Sequence, residues 1–264
     1  MSAPAPAEKT EELLFERDGA LGLITLNRPQ ARNALTFAMY ERLAELCRAP
    51  EDLGVKVLVI TGAGEKAFAA GTDIAQFRGF TTDQHALDYE DKIDAVLGAV
   101  ETCPLPTIAA IAGACTGGGA AIAAACDLRI ATADLKFGFP IARTLGNCLS
   151  VANLARLSAL LGAGRTREII FTSRLVRAEE ALAAGLVSEI LDDHAALMAR
   201  ARNLAETLAE QAPLTLRATK EGLRRLAQND VEDRDLIVSC YTSADFREGL
   251  EAFLAKRKPD WQGR

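Results

Sequence analysis

The stretch that most constrains this chain runs from Thr107 to Ala131, where Gly117-Gly118-Gly119 interrupts a run of small apolar residues. It reads as a buried strand, a tight glycine turn, a buried helix and a second strand. Three consecutive glycines leave the main chain uncovered where a helix begins. The first N–H groups of a helix lack partners within it and carry a partial positive charge. Such a turn can hold an anion, or an oxygen atom on which negative charge develops.

At 264 residues with 49% hydrophobic content, the chain can bury a large core, as one domain or as a domain with an appendage. Its net charge of −6 gives no basic surface for nucleic acid. Six cysteines (Cys47, Cys103, Cys115, Cys126, Cys148, Cys240) show no paired metal spacing and are expected as free, reduced thiols of a cytoplasmic protein. With only His85 and His194, a histidine-rich metal site is not expected, and a Ser-His-Asp triad has few options. No apolar run reaches the roughly 18 residues of a membrane span. Residues 1–10 are expected as a disordered Ala/Pro-rich tail without signal-peptide character.

In chain order, Leu13–Arg17 and Leu21–Asn27 around Asp18-Gly19 predict a hairpin. Leu35, Met39, Leu43 and Leu46 have helical spacing behind Thr36 as N-cap. Val55–Thr61 predicts a buried strand. Gly62-Ala-Gly64-Glu-Lys-Ala67 matches a dinucleotide fingerprint in form, but no helical stripe follows, so it reads as a turn. Phe68–Ile74 predicts a short strand, a glycine bend and a helix start capped by Thr72 or Asp73. Gly79–Gln84 reads as a mobile loop, His85–Val100 as an amphipathic helix and Leu135–Phe139 as a strand. Helices then dominate: Val151–Leu161, Arg165–Thr172, Ala178–Ala184, Asp193–Gln211, Leu214–Gln228 and Glu232–Lys256 with a break near Ser243. One strand, Leu186–Leu191, interrupts them. Residues 11–192 are therefore expected as an α/β core and residues 193–264 as a helical C-terminal region.

Five segments together resemble one family. They are Leu26-Asn-Arg-Pro-Gln-Ala-Arg-Asn-Ala-Leu35, Lys66-Ala-Phe-Ala-Ala-Gly-Thr-Asp-Ile74, Gly113 to Asp127, Ala178 to Val187 and Glu248 to Arg257. From about Leu13 to Arg264 the chain resembles the enoyl-CoA hydratase/isomerase (crotonase) superfamily. The resemblance implies a crotonase-like spiral of ββα units with a helical region that builds homotrimers, or dimers of trimers. It implies an acyl-CoA ligand, with coenzyme A entering as part of the substrate and no tightly bound cofactor. By position, the backbone N–H groups of Ala70 and Gly118 would form the oxyanion hole. Coenzyme A would lie along Ala31, Arg32, Ala70, Gly71, Thr72, Asp73 and Gly117, with Lys256 reaching it from a neighbouring subunit.

The chain departs from the family where the chemistry is carried. The two glutamate positions of a hydratase fall on Ala121 and Ile141, and the position of an alternative aspartate falls on Leu149. Two-glutamate water addition is therefore not expected. Remaining candidates near the site are Arg143, Thr144, Asn147 and Cys148 on one side, and Thr72, Gln76, His85, Asp88 and Tyr89 on the other. Arg143 could bind a carboxylate or an enolate, or form a structural ion pair. His85 and Asp88 could act as an acid/base pair on one helix face, or simply be solvated. Cys148 has no obvious base nearby in sequence. The expectation is an enzyme working on an acyl-CoA thioester through an oxyanion or enolate. A catalytically silent acyl-CoA-binding protein, a thioester hydrolase or a C–C hydrolase on the same fold remain alternatives.

Overall fold

The computed structural model describes residues 11–264; the tail expected over residues 1–10 lies outside them. The described residues begin with β1 (Leu13–Asp18) and β2 (Leu21–Leu26), then run through α1 (Phe37–Arg48), β3 (Val57–Gly62), β4 (Ala67–Ala69), α2 (Asp83–Glu101), β5 (Thr107–Ile111) and β6 (Ala114–Thr116). The chain continues with α3 (Gly118–Ala125), β7 (Leu128–Thr132), β8 (Lys136–Gly138), α4 (Ile141–Thr144), α5 (Val151–Thr172), β9 (Val176–Arg177), α6 (Ala178–Ala183) and β10 (Ile190–Leu191). Four helices close it: α7 (His194–Ala209), α8 (Pro213–Ala227), α9 (Arg234–Tyr241) and α10 (Ala244–Ala255).

The strands form a six-stranded sheet in the order β1-β2-β3-β5-β7-β10 and a four-stranded sheet in the order β4-β6-β8-β9. Only the β1–β2 and β8–β9 pairs are antiparallel. β3 shows why the large sheet tolerates a continuous apolar sequence. Leu58 and Ile60 face the main core with α1 and α2, while Val57 and Val59 face a second cluster containing Leu197, Ala201 and Ala205 of α7. A parallel strand covered on both faces has no polar side to present. By packing, α7 thus covers the sheet, although its sequence begins the expected C-terminal helical region. Helices α8 and α9 bury no residue, and α10 buries only Asp245 and Ala252.

Most expected elements form, with instructive differences. Thr36 caps α1 by accepting from the Met39 N–H at 3.3 Å, and Ser243 caps α10 at the expected break. The turn after β3 leads to β4 with no helix, as its lack of a helical stripe predicts. The two helices expected over Val151–Thr172 join at Gly162, which has φ 75. The glycine stretch holds an extra strand, β6, that the run of small residues concealed. The strand expected over Leu186–Leu191 shrinks to Ile190–Leu191, because the Leu186 and Val187 N–H groups turn back to Ala181 O at the end of α6 and Leu186 O is taken by the side chain of Arg129. Its Nε donates to Leu186 O at 2.7 Å and its Nη1 to Cys126 O at 2.6 Å. This guanidinium is 9% exposed, and burial pulls it below its ordinary pKa.

None of the six cysteines is in a disulfide; Cys47, Cys103, Cys115 and Cys126 are buried, and burial pushes the Cys126 thiol up to about 12. Among the described residues no helix is long and apolar enough to cross a membrane, and no group of three His, Cys, Asp or Glu residues is placed to hold a metal ion.

Candidate active site

Two glycine bends meet where β4 pairs with β6. In the first, Asn33 sets the geometry. It is buried, with φ 57, and its Nδ2 donates to Ala67 O at 2.7 Å and Ala63 O at 3.1 Å while its Oδ1 accepts from the Arg28 N–H. This pins the Arg28–Leu35 loop to the start of β4. Leu35 and Thr72 then form a parallel bridge: the Leu35 N–H donates to Gly71 O at 2.8 Å and the Asp73 N–H to Leu35 O at 2.9 Å. Alternate main-chain groups of an extended segment face opposite edges, so the Thr72 N–H faces away from Leu35. Asp73 holds the bend from below. Its carboxylate accepts from the Ala75 N–H at 3.0 Å and pairs with Arg28 at 2.9 Å, which hold it below the ordinary carboxylate value.

In the second bend, Gly117 has φ 53 and ψ −121, a conformation that only glycine adopts without strain. A Cβ on Gly118 would stand 1.9 Å from the Tyr40 hydroxyl, and one on Gly119 would stand 2.4 Å from Ala69 O. All three glycines are therefore required, the first by its dihedrals and the others by close approach. The N–H of Gly118 opens α3 and has no acceptor within that helix.

Between the bends lies a cavity of about 210 Å³, lined among others by Gly71, Thr72, Gly117, Gly118, Ala121 and Ile141. The amides resolve differently from the expectation. The Ala70 N–H donates to Arg32 O at 3.0 Å, so it is already engaged and cannot serve a ligand. Among the described residues, the N–H groups of Thr72 and Gly118 have no acceptor, and both residues line the cavity. The unpaired amide on the first bend is therefore two residues further along than the sequence position suggested.

Beside these amides, Thr72 Oγ1 is 2.9 Å from Tyr40 Oη and 3.0 Å from Tyr89 Oη. Three hydroxyls share two hydrogen bonds, which leaves one O–H hydrogen for a further acceptor. Burial raises the pKa of both phenols, so they remain neutral donors. The cavity continues into a second space of about 530 Å³ with Phe77, Phe80, Ala86 and Leu145 in its walls. Tyr89, Glu90, Asn147 and Cys148 line both spaces.

Glu90 is the functional candidate that the sequence reading missed. Burial, reinforced by the charge of Asp94 one turn along α2, raises its carboxyl above the ordinary glutamate value. The signal lay in helical spacing. Glu90 precedes Ile93 by one turn and Leu97 by two, which puts an acid on the buried stripe of α2. Asp94 is fastened to the next helix, accepting from Ser150 Oγ at 2.8 Å and Asn153 Nδ2 at 3.4 Å.

The structure does not bring the other acid/base candidates together. His85 Nδ1 accepts from the Thr81 N–H at 3.2 Å, and Asp88 accepts from Gln84 at 2.7 Å. Both are exposed, they do not pair with each other, and neither lines the cavity. Arg143 is exposed on α4 and is also absent from the cavity wall. Gln76 is turned away, accepting from the Phe37 N–H. Thr144, Asn147 and Cys148 do line the cavity. Ala31 ends a short 3-10 turn and Arg32 is exposed with φ 51, both beside the Ala70–Asp73 bend. Lys256 is exposed at the C-cap of α10.

Comparison with known proteins places this arrangement. A family model described as enoyl-CoA hydratase/isomerase matches residues 16–264. The short-chain-enoyl-CoA hydratase of Clostridium acetobutylicum is 32% identical over 257 residues, covering 93% of this chain and 95% of that protein. The crotonyl-CoA hydratase of Syntrophomonas wolfei is 30% identical, covering 95% and 98%. The crystal structure of an enoyl-CoA hydratase/carnithine racemase from Magnetospirillum magneticum superimposes with a TM-score of 0.88 at 34% identity, covering 97% of each chain.

Proposed function

Since the chain belongs to the enoyl-CoA hydratase/isomerase family and is an enzyme acting on acyl-CoA, we propose that it works by stabilising a thioester enolate between the N–H groups of Thr72 and Gly118, without the two-glutamate addition of water. The observation that carries this reading is the pair of unengaged amides on two residues that line one cavity. A thioester oxygen gains negative charge when a proton leaves the neighbouring carbon. Fixed donors favour that charge without reorganisation, each worth about 3 kcal/mol. The opening of α3 adds its partial positive charge on the same side.

Ala121 and Ile141, in the positions where a hydratase carries glutamates, line the same cavity and offer only hydrocarbon. They can neither orient a water molecule nor deliver its proton. The apolar continuation past Phe77, Phe80 and Leu145 suits an aliphatic or aromatic acyl group. Coenzyme A would run along the joined segments Ala31–Arg32 and Gly71–Asp73. The exposed side chains of Ile237, Val238, Tyr241, Leu250, Phe253 and Leu254 give α9 and α10 an apolar surface, which supports the homotrimer, single or paired, and the approach of Lys256 to a neighbour's ligand. Light scattering checks that assembly: a trimer or hexamer is expected, and a monomer overturns it.

The test of the site measures calorimetric binding of butyryl-CoA together with crotonyl-CoA hydration. Binding is expected, with hydration about 10²–10⁴-fold slower than that of a two-glutamate relative assayed alongside. Hydration at the relative's rate overturns the reading of Ala121 and Ile141. Absence of binding overturns the acyl-CoA site.

A further inference from the structure

We propose that Glu90 is the acid/base of this site: its carboxylate takes the proton from the carbon beside the thioester carbonyl while the amides of Thr72 and Gly118 hold the resulting oxyanion. The inference rests on the enolate reading above and names the group that reading lacks.

Among the described residues, Glu90 is the carboxylate that lines the cavity, and no histidine does so. The other ionisable groups in the wall are Tyr40, Tyr89 and Cys148. Both phenols are hydrogen-bonded to Thr72 and kept protonated by burial. Glu90 also lines the apolar continuation. An acyl chain running from the amides into that space would follow the wall that Glu90 shares between the two.

The position is built. The backbone places Glu90 in the middle of a 19-residue helix rather than on a loop. Asp94, one turn on, is held by Ser150 and Asn153, so that the helix is tied to α5 beside the site. Among the described residues, the titratable groups that line the two spaces with Glu90 are Tyr89 of its own helix, Tyr40 from α1 and Cys148 from the α4–α5 segment, and Asp94 lies one turn along α2. None of them is a cation that would hold the carboxyl ionised. Its half-buried setting and the like charge of Asp94 bring proton uptake closer to neutral pH, which suits a group that must both take and return a proton.

The step balances with no co-reactant. The C–H bond breaks and Glu90 gains the proton. The electron pair forms a carbon–carbon double bond to the carbonyl carbon, and the carbonyl oxygen becomes the enolate oxygen. Return of the proton to the same carbon exchanges hydrogen with solvent. Return to the γ-carbon of an unsaturated acyl group moves its double bond.

The experiment follows deuterium uptake at the α-carbon of butyryl-CoA in D2O by mass spectrometry, for the full-length wild type, E90Q and E90D. Calorimetric binding of butyryl-CoA and a thermal melt are run on each. The expected result is exchange by the wild type, a loss of about a hundredfold or more in E90Q with binding and melting retained, and partial recovery in E90D. The wild-type rate should rise with pH through a point above the ordinary glutamate value, because only the ionised carboxylate accepts the proton. That limb should vanish in E90Q. Exchange by E90Q at the wild-type rate overturns the role of Glu90 and leaves the enolate reading standing. Binding by the wild type without exchange overturns Glu90 as an α-carbon base. Equal loss of binding and exchange in E90Q overturns it in favour of a ligand-holding role. No binding by the wild type overturns both readings.

Discussion

The two walls of the cavity are built on opposite principles. One, from Ala67–Asp73 and Ala114–Gly119, is main chain. Ala69 and Cys115 have no exposed surface, and each bend is tied by backbone hydrogen bonds to Arg32, Leu35 or Gly138. The other, from Ile141 to Ser150, is side chain. Residues Ala142–Cys148 are exposed, and the short helix α4 is held mostly by bonds back to Pro140 and Ile141. A donor that stabilises an oxyanion must not move, so it belongs on an overdetermined backbone. Groups that decide which bond breaks next can sit on a wall whose side chains change freely. On the proposed reading, the first wall supplies the oxyanion donors, while the second presents the hydrocarbon of Ile141 where a hydratase would carry a carboxylate.

This contrast can be broken most forcefully at Gly118. G118A puts a methyl group 1.9 Å from the Tyr40 hydroxyl and should displace the amide, with a loss of turnover of about 10²–10³-fold. Retained turnover in steady-state kinetics would mean that this wall is not fixed. Asn33 tests the same wall through stability. N33A removes three hydrogen bonds and leaves buried main-chain groups unpaired. Urea unfolding should show about 3 kcal/mol of destabilisation. On the side of the second wall, S150A removes the N-cap of α5 and a bond to Asp94 and should cost about 1 kcal/mol in the same measurement. The smallest effect is expected at the exposed, non-lining Arg143. R143A should leave turnover within about twofold, and a larger loss would bring that side chain into the site.

Much of this contrast was legible in the sequence. The glycine run announced a helix start with uncovered amides, and the spacing of Leu35, Met39, Leu43 and Leu46 announced α1. Hydrogen-bond direction was not legible. Ala70 and Thr72 flank the same glycine, and only the bridge to Leu35 and the bond to Arg32 O reveal which amide is free. Glu90 was overlooked for another reason. His85 and Asp88 drew attention because their side chains suit acid/base chemistry, but they lie on the solvated face of α2. The informative sign was an acid within the apolar stripe, where a charge is costly unless it has work to do. The shortened strand at Leu186 likewise depends on a contact beyond the reach of any local pattern, since its carbonyl accepts from Arg129, 57 residues away.

That arginine also bears on how the chain matures. In the large sheet, β1, β2, β3, β5 and β7 lie side by side in the order in which a ribosome releases them, so most of the layer can assemble as it emerges. The Arg129 side chain emerges with β7, yet its Nε finds its acceptor only at Leu186. Until then its guanidinium has only the local acceptors Ala123 O, Cys126 O and Asp127 O, and Nε would enter the core without a partner. Full pairing of this one buried charge therefore waits on the segment that delivers Leu186, with α7 to α10 still to follow.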